Sequence, residues 1–148
     1  MNTSTIYKNH NEVFIFRILL WGKSNINSPD NVVIGSDAGT SLIGANGIGD
    51  NVLIGCQAGQ VLTTGTNNIY MGSGAGNHAV TSNNNVVIGS NAMNNGDANN
   101  VIIIGYNAGL NNNADGNIFI GPNAGINNKT GVDNLYMGIN AGLQMITS

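Results

Sequence analysis

The sequence predicts an all-β fold: a parallel β-roll or β-solenoid of about seven coils, each 16–17 residues long. Three observations carry that expectation. They are a seven-fold repeat, a composition dominated by asparagine and glycine, and the lack of any apolar helical period between repeats.

The phrase of Asn, three apolar residues and Gly recurs along the chain. It occurs at Asn31-Val-Val-Ile-Gly35, Asn51-Val-Leu-Ile-Gly55, Asn68-Ile-Tyr-Met-Gly72 and Asn85-Val-Val-Ile-Gly89, then at Asn117-Ile-Phe-Ile-Gly121 and Asn134-Leu-Tyr-Met-Gly138. Asn100-Val-Ile-Ile-Ile-Gly105 reads as the same phrase with one extra residue. The turn glycines Gly35, Gly55, Gly72, Gly89, Gly105, Gly121 and Gly138 are therefore spaced by 20, 17, 17, 16, 16 and 17 residues. Three residues after each comes an alanine: Ala38, Ala58, Ala75, Ala92, Ala108, Ala124 and Ala141. A glycine follows that alanine in every copy but one, where Met93 stands instead.

Each apolar triplet is rich in β-branched or aromatic residues and bounded by Asn and Gly, which reads as a short strand. The interval to the next triplet is too short for a crossover helix. Successive strands are thus joined by turns, and each coil stacks on the last at about 4.8 Å, giving a rod on the order of 34 Å long. Gly accepts φ > 0 without steric cost, and Asn tolerates the left-handed region while bonding its own backbone. These two residue types carry the turns, and stacked asparagines can add amide ladders between coils.

Strand alternation sorts the side chains. The outer two positions of each triplet, such as Val32 and Ile34, point one way. The middle position forms an opposite row: Val33, Leu53, Tyr70, Val87, Ile103, Phe119 and Tyr136. Both rows are apolar, so both faces of the strand need cover. One row fills the coil beside the corner alanines. The other is expected to meet a second copy of the chain, with the aromatic-bearing row at or near the subunit interface. The alternative is one wide monomeric solenoid that encloses both rows.

Composition excludes several functions. Glycine (22) and asparagine (29) make up about a third of the 148 residues, while charged residues are only 7%. Hydrophobic residues at 41% give the chain a core to bury, unlike a disordered polar segment. Four basic residues (Lys8, Arg17, Lys23 and Lys129) cannot neutralise a run of phosphates, so no nucleic acid is expected as a partner. The lone Cys56 excludes a disulfide framework and a cysteine-based zinc site. The length suits one domain.

Residues 1–30 differ in character and form a predicted cap or docking segment. Val13-Phe-Ile-Phe-Arg-Ile-Leu-Leu-Trp21 is too short, and too interrupted by Arg17, to span a bilayer as a helix. It also lacks a small-x-small cleavage site for a signal peptide. Asn11-Glu12-Val13-Phe14-Ile15 instead aligns with Asp30-Asn31-Val32-Val33-Ile34 as a degenerate opening repeat. The β-roll is then expected over residues 31–142, with a tail at 143–148.

No catalytic constellation emerges, and neither a cofactor nor a metal site is expected. His10 and His78 lie far apart in sequence and outside the strand phrases. Asp37, Asp50, Asp97, Asp115 and Asp133 fall in turns without recurring at one repeat position. Cys56 sits in a variable position and reads as an ordinary thiol. Asn128-Lys-Thr130 fits the glycosylation acceptor pattern, a weak signal in so Asn-rich a chain. The one enzymatic alternative is a hexapeptide-type left-handed β-helix acyltransferase, suggested by Ile120, Ile126 and Val132 at strict six spacing. It would need a catalytic His, for which His78 is the sole reasonable candidate, and polar Asn77, Asn83, Asn94 and Asn100 stand where such a core needs apolar residues.

Asn-Val-Val-Ile-Gly-Ser-Asn-Ala at 85–92 resembles the head repeats of YadA-type trimeric adhesins, and Asn117-Ile-Phe-Ile-Gly-Pro-Asn-Ala-Gly125 is similar to repeats of phage and large-virus fibre or tail proteins. The resemblance spans residues 31–142, although the unit here is longer than the adhesin unit. It implies a left-handed, homotrimeric roll displayed outside a cell or on a virion. The expected function is that of a structural, adhesive fibre element, or of a pure spacer. Turns at Gln60–Asn67, His78–Asn84 and Asn111–Asp115 would meet a receptor or glycan by hydrogen bonding. No membrane span is expected.

Overall fold

The computed structural model describes residues 31–42 and 49–143, so the predicted cap at 1–30 and the end of the tail lie outside the described residues. Seven three-residue strands form one parallel sheet. They are β1 (Val32–Ile34), β2 (Val52–Ile54), β3 (Ile69–Met71), β4 (Val86–Ile88), β5 (Ile102–Ile104), β6 (Ile118–Ile120) and β7 (Leu135–Met137). The strand order is sequential, and each strand pairs in register with the next, Val33 opposite Leu53 and Phe119 opposite Tyr136. Parallel neighbours one repeat apart mean that the chain completes a full coil between strands. This is a β-solenoid, and the described residues contain no helix.

Hydrogen bonding between coils does not stop at the strands. In the second coil, the Val52 N–H donates to the Asn68 carbonyl (2.7 Å) and the Gly59 N–H to the Ala75 carbonyl (2.9 Å). The Val61 N–H reaches the Asn77 carbonyl at 3.1 Å, while the Gly55 and Gln57 N–H groups bond back to Ile34 and Ser36 at 2.8 Å. The turns of one coil thus pair with the turns of the next, and most backbone polar groups are satisfied around the circuit.

Stacking explains the turn glycines better than flexibility does. Gly72 has φ +132°, and a Cβ built there would lie 2.6 Å from the backbone of Gly89 in the next coil. Gly35, Gly55, Gly89, Gly105 and Gly121 repeat that contact at 2.3–2.6 Å. A side chain in this column would push the coils apart. The second glycine of each repeat has another reason: Gly59 and its equivalents adopt the left-handed region at φ 53–68°, and Met93 follows at φ 46°.

The core lies inside the single chain. Leu53, Tyr70, Val87, Ile103 and Phe119 are fully buried, with Val33 and Tyr136 packed against them at the two ends. The corner alanines Ala38, Ala58, Ala75, Ala92, Ala108 and Ala124 share that core. The expectation that the aromatic-bearing row lies at a subunit interface is therefore corrected. A coil closed by tight turns is narrow, and the middle strand position faces the alanine corner across it. The Phe119 and Tyr136 rings stack inside the coil, 5.1 Å apart at 7°.

Candidate functional site

With the middle row inside, the outer strand positions form the outward face. Two positions on each of seven strands give fourteen side chains, all Val, Ile, Leu or Met. Met71 and Ile102, away from the ends of the stack, are each 39% exposed. An aliphatic surface of this length, with no polar residue in either row, is what monomeric proteins avoid.

Two turn columns follow each strand, and both change chemistry along the rod. The first, directly after the strand glycine, reads Ser36, Cys56, Ser73 and Ser90, then Tyr106, Pro122 and Ile139, all exposed. The second follows the Ala-Gly corner and reads Thr40, Gln60, Asn77 and Asn94, then Leu110, Ile126 and Leu143. In the first four coils the second column bonds along the stack. Thr40 Oγ1 donates to the Gln60 carbonyl (3.1 Å), Asn77 Nδ2 to Gln60 Oε1 (3.3 Å) and Asn94 Nδ2 to the Gly74 carbonyl (2.9 Å). Its apolar members in the last three coils have no such bonds to make.

The opposite end of each strand carries the predicted amide ladder. Asn51 donates from both its backbone N–H (2.9 Å) and Nδ2 (3.0 Å) to Asn31 Oδ1. Asn68 does the same to Asn51 Oδ1, at 3.0 Å each. The Asn85 N–H continues to Asn68 Oδ1 (3.2 Å), and the Val101 N–H to Asn85 Oδ1 (3.0 Å). There the ladder breaks, because Val101 occupies the asparagine position. The phrase at 100–105 therefore holds no extra residue. Asn100, with φ 57°, takes the left-handed position that Asn84 holds one coil earlier, and the coil register is unchanged. The ladder resumes when Asn134 donates to Asn117 Oδ1 at 2.9 and 3.1 Å.

The aspartates are more ordered than the sequence suggests. Asp50 (φ 61°) and Asp133 (φ 55°) both hold the left-handed position before a ladder asparagine, so they do share a column. Asp115 belongs to an outer ladder: it accepts from the Asn99 N–H (2.8 Å), Asn99 Oδ1 from the Asn83 N–H (2.8 Å), and Asn83 Oδ1 from the Thr66 N–H (2.9 Å). These turns, which include the predicted contact segments, thus hold polar groups in regular rows one coil apart. Among the described residues, no three His, Cys, Asp or Glu side chains come together to hold a metal, and no helix is long and apolar enough to cross a membrane.

The remaining candidates fall into ordinary surroundings. His78 is exposed, with Nδ1 2.9 Å from the Asn94 carbonyl oxygen. Cys56 is exposed and free. Asn128 is buried, and its Nδ2 donates to Asn112 Oδ1 (2.8 Å) and the Gly131 carbonyl (2.7 Å), so the folded coil does not offer it for glycosylation. Its Oδ1 is buried without a donor. Tyr70 is held neutral: burial pushes its hydroxyl up to about 12, against the opposing pull of hydrogen bonds with Asn85 and Ser82, and Asp97 adds to the rise.

Comparison with known proteins adds no relative: no protein-family model, curated protein or solved structure matches this chain. The columns that follow the strands were missed in the sequence. Their signal was present as the polar-to-apolar switch at two fixed offsets from the strand glycine.

Proposed function

We propose that this protein is a rigid structural and adhesive fibre element, built from copies of itself and displayed outside a cell or on a virion. The observation that carries this reading is the fourteen-residue aliphatic face on a narrow rod whose interior is already filled. Exposed apolar faces of this kind mark interaction surfaces, and burying one gains about 25 cal/mol per Å². A second rod with the same coil spacing covers it along its whole length. Three copies around one axis, as the resemblance to adhesin heads implies, close the assembly and leave the polar turns outside.

Display then follows from geometry. The turns at 60–67, 78–84 and 111–115 repeat at fixed intervals on each copy, so weak hydrogen-bonding contacts to a receptor or glycan add through avidity. Light scattering on the purified chain is expected to give a mass near 46 kDa, three times 15.2 kDa. A 15.2 kDa particle at every concentration would overturn the self-association. For adhesion, binding on a glycan array is expected to fall when Thr66, Asn83 and Asp115 are changed together to Ala. Unchanged binding would move the contact elsewhere.

A further inference from the structure

The two turn columns divide the rod into halves of unlike surface, and the division has a consequence for assembly. In the coils of β1–β4 the aliphatic face ends abruptly at serines, Cys56 and hydrogen-bonded amides. In those of β5–β7 it continues through Tyr106, Pro122 and Ile139, and the second column, beyond Asn107, Asn123 and Asn140, is apolar as well at Leu110, Ile126 and Leu143. Tyr106 lies in an interior coil and is still 56% exposed, so its exposure does not come from the open end of the stack. Ile139 lies in the last described coil.

We infer that coils 5–7 are the principal docking surface for a second copy of this chain, and that the first four coils associate weakly. The inference rests on the self-association proposed above and names the segment that drives it. Three features fix the occupant. Tyr106, Pro122 and Ile139 stand two residues after the outward strand positions Ile104, Ile120 and Met137, so whatever covers the strand face meets them too. The strand face repeats at the coil spacing over seven strands, and a parallel copy of the same rod presents apolar rows at that spacing. The size is of the right order: the exposed apolar residues of the face and the patch leave open on the order of 900 Å², about half of it in the last described coil, against about 800 Å² per partner in a standard interface. Neither column contains a charged residue, and an exposed Tyr beside Ile and Pro matches the composition of an interface centre.

Sedimentation equilibrium on the full chain tests this. In one variant, Tyr106→Ser, Pro122→Ser and Ile139→Ser give coils 5–7 the surface of coils 1–4, and the concentration for half-association is expected to rise roughly 100-fold. Tyr106→Ser alone is expected to raise it about 10-fold, which keeps the test usable if the triple variant folds poorly. The control Ser36→Asn, Ser73→Asn and Ser90→Asn is expected to change it less than about 3-fold. If the wild type associates and both Tyr106 variants associate equally well, the inference falls while self-association stands. A monomeric wild type overturns both. Equal weakening by the control and the triple variant would also overturn the inference, since the interface would then be uniform along the rod.

Discussion

Coils 2–4 and coils 5–7 share one backbone path but fill it differently. The earlier coils lean on a continuous amide ladder through Asn51, Asn68 and Asn85, and the corner that follows the second glycine, or Met93 in its place, holds Leu62, Ala79 and Gly96 in turn. In the later coils Val101 interrupts the ladder, and the same corner holds buried Asn112 and Asn128. Outside, the pattern reverses, with polar corners early and apolar corners late. The shared element is the backbone contact at the glycine column, which sets the spacing between coils. Once that is satisfied, each coil can choose its own interior and surface chemistry.

The largest effect should therefore be the one common to both halves. Gly72→Ala and Gly105→Ala each place a Cβ 2.6 Å from the next coil's backbone, at φ +132° and +141°. Urea unfolding is expected to show a loss of about 4 kcal/mol for each, near the upper end for single substitutions. A loss below about 1 kcal/mol in either half would mean that the coils can spread there.

Next comes an effect confined to the early half. The Tyr70 hydroxyl is raised in the folded chain from 10.0 to about 12, so folding favours the neutral phenol. Stability from this residue is complete below pH 10 and lost as pH rises through 12, by about 2–3 kcal/mol in all. Thermal unfolding of the wild type is expected to weaken more between pH 10 and 12 than that of Tyr70→Phe. Parallel curves would remove Tyr70 from the alkaline transition.

The corner of the late half offers a smaller change of opposite sign. The double variant Asn112→Leu, Asn128→Leu gives it the filling of Leu42 and Leu62 and removes the donorless Asn128 Oδ1. The carbonyls of Ala114 and Gly131 each keep Asn117 Nδ2, at 2.8 Å. A gain of about 1 kcal/mol is expected, since removing both partners of a buried polar pair costs little. A loss would show that the late corner is too narrow for leucine.

Smallest is the repair of the ladder. Val101→Asn supplies the missing side chain between Asn85 and Asn117, and a gain of about 0.5 kcal/mol is expected in the unfolding midpoint. A clear loss would mean that the break is a packing requirement of the late coils, and the two halves would then be separate units.

The seven strands, their parallel order and the turn chemistry were legible in the sequence, because strand, glycine and alanine recur at fixed offsets. The amide ladder was legible too, though its break was not. Asn100 preserved the look of the phrase, and the structure shows that Asn100 took the left-handed position, at φ 57°, while Val101 took the buried place. The shared column of Asp50 and Asp133 was hidden for a related reason. That left-handed position accepts Asp, Asn and Gly alike, so no single residue type marks it.

The sequence by itself determined the coil, because a three-residue strand closed by residues that tolerate positive φ has few other ways to pair. Only the tertiary structure decided which apolar row faces inward. An alternating strand that is apolar on both faces carries no sign of its own inside. That choice falls to the turns: they close the coil around Leu53, Tyr70, Ile103 and Phe119, and they leave Met71 and Ile102 to face whatever the rod meets.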